Sequence, residues 1–393
     1  MNSLRVLKRE LSSMRNNSFE MLIFFVTGRC NAKCHHCFYW ENLGPTHVGL
    51  SLEKIEKVAH SMPNFGTLLL SGGEPTLRSD LPEIIKIFRR NNNIRNVSVP
   101  TNGLLPERIA DLAERIAQID PEMYVTFNLS IDGFSELHDQ IRGVPGNYDS
   151  AMKTLRKINE LEQDYPNLRT YVNSVICADN LEEIVPFANF VREERLADAH
   201  YFEIIRGDPP EVRLKAVPPE KLSYIYESVT PIQEYYLSRD AKRRRQGLMA
   251  AWRYISDVGN LLNKYRHQWR IHSYDTQWDF TCMAGESIGV IDYNGQTRIC
   301  ELREDNVNLA DFDYDFSKAW DSVTLRREAT IAKTHTCDCT HTCFINTSMR
   351  QDFSARFWDA PWLFFKYKIG KIWKDEFTID SYYPHQEPEG ITN

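Results

Sequence analysis

The chain has 393 residues, of which 42% are hydrophobic and 12% aromatic, so it can bury a substantial core and is not a disordered chain. Its formal net charge of -7 argues against a protein that binds nucleic acid over a wide surface. Its 9 cysteines occur in clusters, which favours metal binding in a reducing compartment over a disulfide framework.

Short apolar runs alternate with amphipathic segments over the first half of the chain. After a polar arm at residues 1–20, the apolar runs predict strands at 21–26, 66–70, 97–99, 124–131, 170–176 and 199–205. The segments between them have helical periodicity, with Ser51 and Asn180 as predicted caps and Pro106 as a predicted first helical residue. This alternation predicts a parallel α/β fold, either a barrel or a doubly wound sheet. The first run is too short for a signal peptide or a membrane span, so we expect a cytoplasmic protein.

The alternation ends near residue 207, and three further segments follow. Long helices are predicted at 219–237 and 241–267, which makes 208–272 a helical connector. Residues 273–346 contain a second group of cysteines and a predicted hairpin whose first strand and Asn-Gly turn cover 289–295. Residues 347–393 form a tail in which aromatic side chains are interleaved with lysines.

The loop after the first predicted strand contains Cys30, Cys34 and Cys37. Thiolates from one short loop suit an iron–sulfur cluster, because cysteine sulfur is the ligand that such clusters prefer. A [4Fe–4S] cluster held by three cysteines keeps one iron available for another ligand. A structural zinc site is the alternative that this spacing leaves open.

The second predicted strand leads into Ser71-Gly72-Gly73-Glu74-Pro75, where the glycines allow close approach of a ligand and Glu74 supplies a carboxylate. Together with Cys-x3-Cys-x2-Cys after the first strand, this motif resembles the radical S-adenosylmethionine (SAM) superfamily. The resemblance implies an open (β/α)6 partial TIM barrel at 21–207 and a [4Fe–4S] cluster whose open iron binds SAM. It also implies reductive cleavage of SAM to a 5′-deoxyadenosyl radical. His36 departs from the resemblance, because an aromatic or apolar residue is usual there.

The resemblance implies SAM contacts at the carboxyl ends of the strands. The residues carried over are Gly72, Gly73, Glu74, Pro75, Asn102, Ser130, Asp132, Arg142 and Asn173. The Gly-Gly-Glu-Pro stretch can instead be an ordinary Gly/Pro turn, and two further residues also have alternatives. Asp132 can instead only shape its turn, and Arg142 can pair either with the SAM carboxylate or with Asp139.

The second group of cysteines resembles the SPASM/twitch extension of radical SAM enzymes, through Cys282, Gly295 and Cys300. The resemblance implies a small α+β domain at 273–346 with one auxiliary [4Fe–4S] cluster. Its candidate ligands are Cys282, Cys300, Cys337, Cys339 and Cys343. These five cysteines are one more than the four ligands that a single cluster needs. A zinc site is again the alternative to an iron–sulfur cluster.

We therefore expect a radical SAM enzyme that abstracts hydrogen from a substrate C–H bond, with net oxidation or rearrangement of a small sugar-like or aminocyclitol-like metabolite. The alternative is modification of a ribosomal peptide or a protein side chain. Residues 1–20 are too few for a leader-peptide-binding domain, which slightly favours a small metabolite or a peptide that a partner protein delivers. A non-catalytic zinc or iron–sulfur protein is a more distant alternative. The expected electron donor is a flavodoxin or a ferredoxin-like protein. The aromatic tail either packs back over the barrel or contacts a membrane surface.

Overall fold

The computed structural model describes residues 19–244, 248–334 and 339–378. Each of the six predicted strands is present. The strands are β1 (Met21–Thr27), β2 (Thr67–Gly72), β3 (Asn96–Thr101), β4 (Tyr124–Ser130), β5 (Leu168–Ile176) and β6 (Ala199–Ile204). The helices among them are α1 (Leu52–Ser61), α2 (Leu81–Asn92), α3 (Pro106–Ala117), α4 (Ser135–Arg142), α5 (Asn147–Leu161) and α6 (Ile184–Glu193).

The six strands are parallel and lie in sequence order, from β1 to β6. All of β1 after its first residue is buried, as expected for a strand that is covered on both faces. The predicted cap of α1 is present, because the Ser51 hydroxyl accepts from the Lys54 amide at 3.4 Å. The predicted cap at Asn180 is wrong. α6 begins at Ile184, and the Asn180 amide instead donates to the carbonyls of Asp132 and Val175.

The predicted hairpin is present, but it extends the same sheet. β7 (Ile288–Ile291) pairs with β1 in parallel, and β8 (Gln296–Arg298) and β9 (Val307–Asn308) follow antiparallel. Every residue of β7 is buried, so this strand is covered on both faces like its neighbour β1. The sheet order is β6-β5-β4-β3-β2-β1-β7-β8-β9, with β6 and β9 at open edges. The predicted open parallel α/β architecture is thus confirmed.

Within the described residues, the chain forms two compact units. The first contains 19–216 and 281–334, and therefore the whole sheet, with α9 (Phe316–Trp320) and α10 (Val323–Lys333). The second contains 217–280 and 339–378. The division of the chain into five domains, made from the sequence, therefore stays a prediction.

The second unit is helical. Its elements are α7 (Pro219–Arg244), α8 (Leu248–Tyr274), α11 (Thr342–Gln351), a π-helical turn (Ala355–Asp359), α12 (Ala360–Lys368) and α13 (Ile372–Glu376). Both long helices differ in length from the prediction, since α7 continues to residue 244 and α8 runs from 248 to 274. Between them, Tyr226 and Tyr265 stack with ring centroids 4.0 Å apart. The aromatic tail begins in this unit, where α12 packs on α8.

Candidate active site at the carboxyl ends of the strands

The cysteine loop follows β1 and is held by the carboxyl end of α4. Its backbone donates from Lys33 to the Arg142 carbonyl at 3.2 Å and from His35 to the Ile141 carbonyl at 2.9 Å. Gly143 ends α4 at a φ of +65°, and a Cβ there would lie 2.4 Å from the Lys33 carbonyl oxygen. Glycine is therefore required where this helix end meets the loop.

Burial dominates the environment of the three thiols. It raises the pKa of Cys30 to about 12 and that of Cys37 to about 11, and it also raises the pKa of Cys34. The Arg142 guanidinium opposes this effect at Cys34, whose sulfur it approaches at 3.9 Å. Thiols in such a place ionise readily only when a bound cation compensates for burial, which is what cluster iron provides. In the described part of the chain, however, no three His, Cys, Asp or Glu side chains form a ready metal-binding group.

The glycines of the Gly-Gly-Glu-Pro motif face the protein's own backbone. A Cβ at Gly72 would lie 2.2 Å from the Thr27 oxygen, and a Cβ at Gly73 would lie 2.1 Å from the Arg29 oxygen. The amide of Gly73 donates to Thr27 at 2.8 Å, and the next amide, of Glu74, donates to Arg29 at 2.7 Å. These hydrogen bonds join the motif to the start of the cysteine loop. A Cβ at position 72 or 73 would prevent this arrangement.

The Glu74 carboxylate points inward, where its partners are protein groups. It accepts from the Thr76 hydroxyl at 2.5 Å and from the Asn102 amide at 2.8 Å. Burial raises the pKa of Glu74, and these donors oppose the shift. Pro75 follows at the start of a short 3-10 turn. Glu74 therefore joins the ends of β2 and β3, and a direct contact between its carboxylate and SAM stays a prediction.

Asn102 connects the end of β3 to two other elements. Its side-chain amide donates to the Asn31 side chain in the cysteine loop at 2.8 Å. Its carbonyl accepts from the Asn147 side chain, at the start of α5, at 2.8 Å. Sequence reasoning missed Asn31 and Asn147, although asparagine between two cluster cysteines was a visible signal for the first.

Asp132 is the centre of a buried charge network. Its carboxylate lies 2.7 Å from Nε of Arg142 and 3.0 Å from Nε2 of His36, and it also accepts from the Val175 amide at 2.8 Å. Burial opposes ionisation of Asp132, but the charge of Arg142 and the His36 contact outweigh burial and hold its pKa well below the usual range. Asp132 thus does more than shape a turn, and His36 is explained as its partner.

Arg142 bridges this network to the cluster loop, since it contacts both Asp132 and the Cys34 sulfur. Asp139, the predicted alternative partner of Arg142, instead accepts from the amides of Gly146 at 2.5 Å and Tyr148 at 2.7 Å. A contact between Arg142 and the SAM carboxylate stays a prediction.

Ser130 and Asn173 lie side by side across β4 and β5, and Tyr201 on β6 is paired with Asn173 at the same level. Their side chains are partly exposed between buried neighbours in each strand. Paired residues of parallel strands project to the same face of a sheet, so these three line one surface. Tyr201, which is 37% exposed, was missed, and an aromatic residue within a predicted strand is too common to single out.

Three of the predicted ligand cysteines share one backbone feature. The amide two residues later donates to the sulfur of Cys30 at 3.4 Å, Cys300 at 3.5 Å and Cys339 at 3.1 Å. Hydrogen bonds to sulfur are typical of iron–sulfur ligands, whose potential they tune. Cys282 and Cys300 are buried in the first unit, Cys339 and Cys343 belong to the second, and Cys337 lies outside the described residues.

Arg206 lies beside the last cysteine of the loop. Its guanidinium is 4.7 Å from the ring centroid of Phe38, which directly follows Cys37, and it pairs with Glu301 at 3.2 Å. Glu301 in turn directly follows Cys300. Sequence reasoning had no signal for this pair, because its members are far apart in the chain.

Comparisons with known proteins agree with this arrangement. The profile of the Radical SAM superfamily matches residues 24–191. Fe-coproporphyrin III synthase of Methanosarcina barkeri is 30% identical over 187 residues, which are 47% of this chain and 44% of that protein. GTP 3',8-cyclase of Cronobacter sakazakii is 29% identical, over 42% of this chain and 54% of that protein. The chain thus spans about half the length of these curated relatives.

Solved structures show the same fold. The structure of anSMEcpe with bound AdoMet and Cp18Cys peptide has a TM-score of 0.55 at 15% identity, covering 91% of this chain and 97% of that one. Streptococcus suis SuiB bound to S-adenosylmethionine has a TM-score of 0.52 at 16% identity, covering 90% of this chain and 80% of that one. These likenesses confirm the open parallel barrel with a C-terminal extension.

Proposed function

Residues 24–191 belong to the radical SAM superfamily, and from this premise we propose that the protein is an enzyme that cleaves SAM reductively and abstracts hydrogen from a substrate C–H bond. The observation that carries the proposal is the junction of two motifs at neighbouring strand ends. The Gly-Gly-Glu loop after β2 is hydrogen-bonded to the start of the Cys30–Cys37 loop after β1, through the Gly73 and Glu74 amides at 2.8 and 2.7 Å.

Family membership implies a [4Fe–4S] cluster and SAM. Cys30, Cys34 and Cys37 suit the cluster because they lie on one short loop and because the Ala32 amide donates to the Cys30 sulfur at 3.4 Å. A cluster held by these cysteines would supply the single electron that cleaves SAM into methionine and a 5′-deoxyadenosyl radical. The protein's own residues hold and orient these groups. Arg142 places positive charge against the Cys34 sulfur, and Asp132 fixes Arg142 in position.

The SAM contacts form part of this proposal. They are assigned to Gly72, Gly73, Glu74, Pro75, Asn102, Ser130, Asp132, Arg142 and Asn173. Ser130 and Asn173 are best placed to contact SAM directly, because they are partly exposed neighbours at the carboxyl end of the sheet. Gly72 and Gly73 offer only backbone groups, and Glu74 supports the loop from within.

For the substrate, we propose a small polar metabolite of the sugar or aminocyclitol class. The Tyr201 side chain, which is 37% exposed and lies beside Asn173 on the next strand, suits a hydroxyl-bearing ligand that binds next to the proposed SAM contacts. The second candidate is a peptide, which the likeness to the anSMEcpe structure with bound peptide favours. In either case a flavodoxin or ferredoxin-type protein would supply the electron.

The proposal is tested by anaerobic reconstitution of the full chain with iron and sulfide. We expect brown protein with roughly eight irons, if both the SAM-binding and the auxiliary cluster form. Addition of SAM and dithionite should then give 5′-deoxyadenosine and methionine, which chromatography separates. Colourless protein that binds zinc and produces no 5′-deoxyadenosine would instead support the non-catalytic alternative.

We further propose that Cys282 and Cys300 are ligands of the auxiliary cluster. Both are buried, and Cys300 has the amide-to-sulfur hydrogen bond that is also present at Cys30. Replacing Cys282 by serine should lower the iron content from roughly eight to about four per chain while SAM cleavage continues, because the first cluster has its own ligands. Iron retained at the wild-type level would refute the assignment of Cys282.

A further inference from the structure

The aromatic tail presents an exposed stripe on α12 and the π-helical turn before it. The stripe consists of Trp358 (69% exposed), Trp362 (55%), Phe365 (52%) and Ile369 (47%). Their spacing of four, three and four residues places them on one face of a helix. Large apolar side chains that are contiguous and exposed mark an interaction site more often than a solvated surface.

The orientation of this stripe is fixed by packing on the opposite face. Ala360 and Leu363 are fully buried. The backbone of α12 approaches α8 so closely at Gly259 that a Cβ there would lie 2.0 Å from the Ala360 oxygen. This close contact prevents α12 from rotating about its axis. The aromatic face of α12 therefore cannot turn inward unless the packing of α12 on α8 is lost.

Basic side chains border the stripe. Lys366 and Lys368 flank it, with carboxylate partners at Glu376 and Glu234. Lys371 and Lys374 follow; both are exposed, and neither has an ion pair with any residue that the structure describes. From residue 350 to 378 the sequence contains six basic and four acidic side chains, so the segment has a small positive charge although the whole chain is negative.

These features point to a lipid partner. Tryptophans are enriched at the membrane–water interface, where an apolar ring meets polar headgroups, and nearby lysines add attraction to anionic lipids. Phe353, which is 60% exposed, and Trp252, which is 40% exposed and stacks on Phe357 at 6.3 Å, are further exposed aromatic side chains of this unit. No helix within 19–244, 248–334 or 339–378 is long and apolar enough to cross a bilayer.

We propose that the α12 stripe binds the surface of an anionic bilayer, with the indole rings of Trp358 and Trp362 inserted among the headgroups and Lys371 and Lys374 facing anionic lipid. The proposal is independent of the proposed activity, since it rests on a surface of the second unit alone.

The test is flotation of the full, reconstituted chain with vesicles of phosphatidylcholine, with and without phosphatidylglycerol. We expect the protein to float with the anionic vesicles and to remain in the dense fraction with pure phosphatidylcholine. The double variant Trp358→Ser/Trp362→Ser should bind at least about tenfold more weakly. The double variant Lys371→Glu/Lys374→Glu should also lose binding, because it reverses the charge beside the stripe.

A matched control removes an exposed aromatic ring elsewhere in the same unit. Tyr224 is 57% exposed on α7, and Tyr224→Ser should bind vesicles like the wild type. If circular dichroism shows that the tryptophan variant is misfolded, the tryptophan emission of the wild type tests the proposal instead. Insertion of the indole rings should shift this emission to shorter wavelength with anionic vesicles only. Absence of flotation and of any emission shift would overturn the proposal. Dimerisation without lipid that Trp358→Ser/Trp362→Ser abolishes would assign the stripe to a second copy of the chain instead.

Discussion

Replacing Cys34 by serine is expected to abolish SAM cleavage. A serine hydroxyl is a poor ligand for cluster iron, and Cys34 is the cysteine whose sulfur contacts Arg142. The rate of 5′-deoxyadenosine formation should fall at least about a thousandfold, and the iron content should fall from roughly eight to about four per chain. Colorimetric iron determination and chromatography of the nucleoside measure the two effects.

The matched control for Cys34→Ser is Cys177→Ala. Cys177 is fully buried just after β5, outside the cysteine loop, where burial raises its pKa to about 12. It behaves as a small core residue, so its replacement should leave iron content and SAM cleavage unchanged. Cys34→Ser protein with an intact first cluster and wild-type cleavage would contradict the ligand assignment.

Replacing Asp132 by asparagine is expected to destabilise the first unit by about 3–5 kcal/mol. The substitution conserves volume but leaves the Arg142 guanidinium buried without its carboxylate partner. The measurement is anaerobic urea denaturation, with the loss read from the midpoint and slope of the transition. Removing both charges with Asp132→Asn/Arg142→Met should restore part of the loss. A double variant that is no more stable than Asp132→Asn would show that an uncompensated charge is not the cause.

The pH dependence of this effect follows from the lowered pKa of Asp132. A carboxylate with a depressed folded-state pKa contributes stability above its unfolded pKa of about 3.9, and that stability is lost as pH falls towards the folded value. The difference between wild type and Asp132→Asn should therefore be constant from about pH 6 to 8 and shrink in acid. A difference that grows in acid would contradict the ion-pair explanation.

The architecture was predictable because its signals are local. The run at 21–26 is apolar throughout, so a buried parallel strand was expected, and β1 covers Met21–Thr27. The motifs Cys30–Cys37 and Gly72–Pro75 follow successive predicted strands, and parallel strands bring their carboxyl ends together. The site could thus be located from chain order alone.

What escaped prediction depends on contacts between distant residues. The Asn-Gly turn marked the hairpin, but nothing in the sequence showed that β7 would pair with β1. The glycines at 72 and 73 were expected to admit a ligand, whereas their first neighbour is the backbone of the cysteine loop. His36 was an unexplained departure until the fold placed it against Asp132, 96 residues further along the chain.

The pairing of β7 with β1 has a consequence for biosynthesis. β2 to β6 leave the ribosome soon after β1, but α7 and α8 must be synthesised before β7 emerges. Until then, one hydrogen-bonding edge of β1 is unpaired. An apolar strand with an unpaired edge tends to associate with other nascent chains. The edge of β1 that pairs with β7 is therefore completed only after the hairpin has been translated.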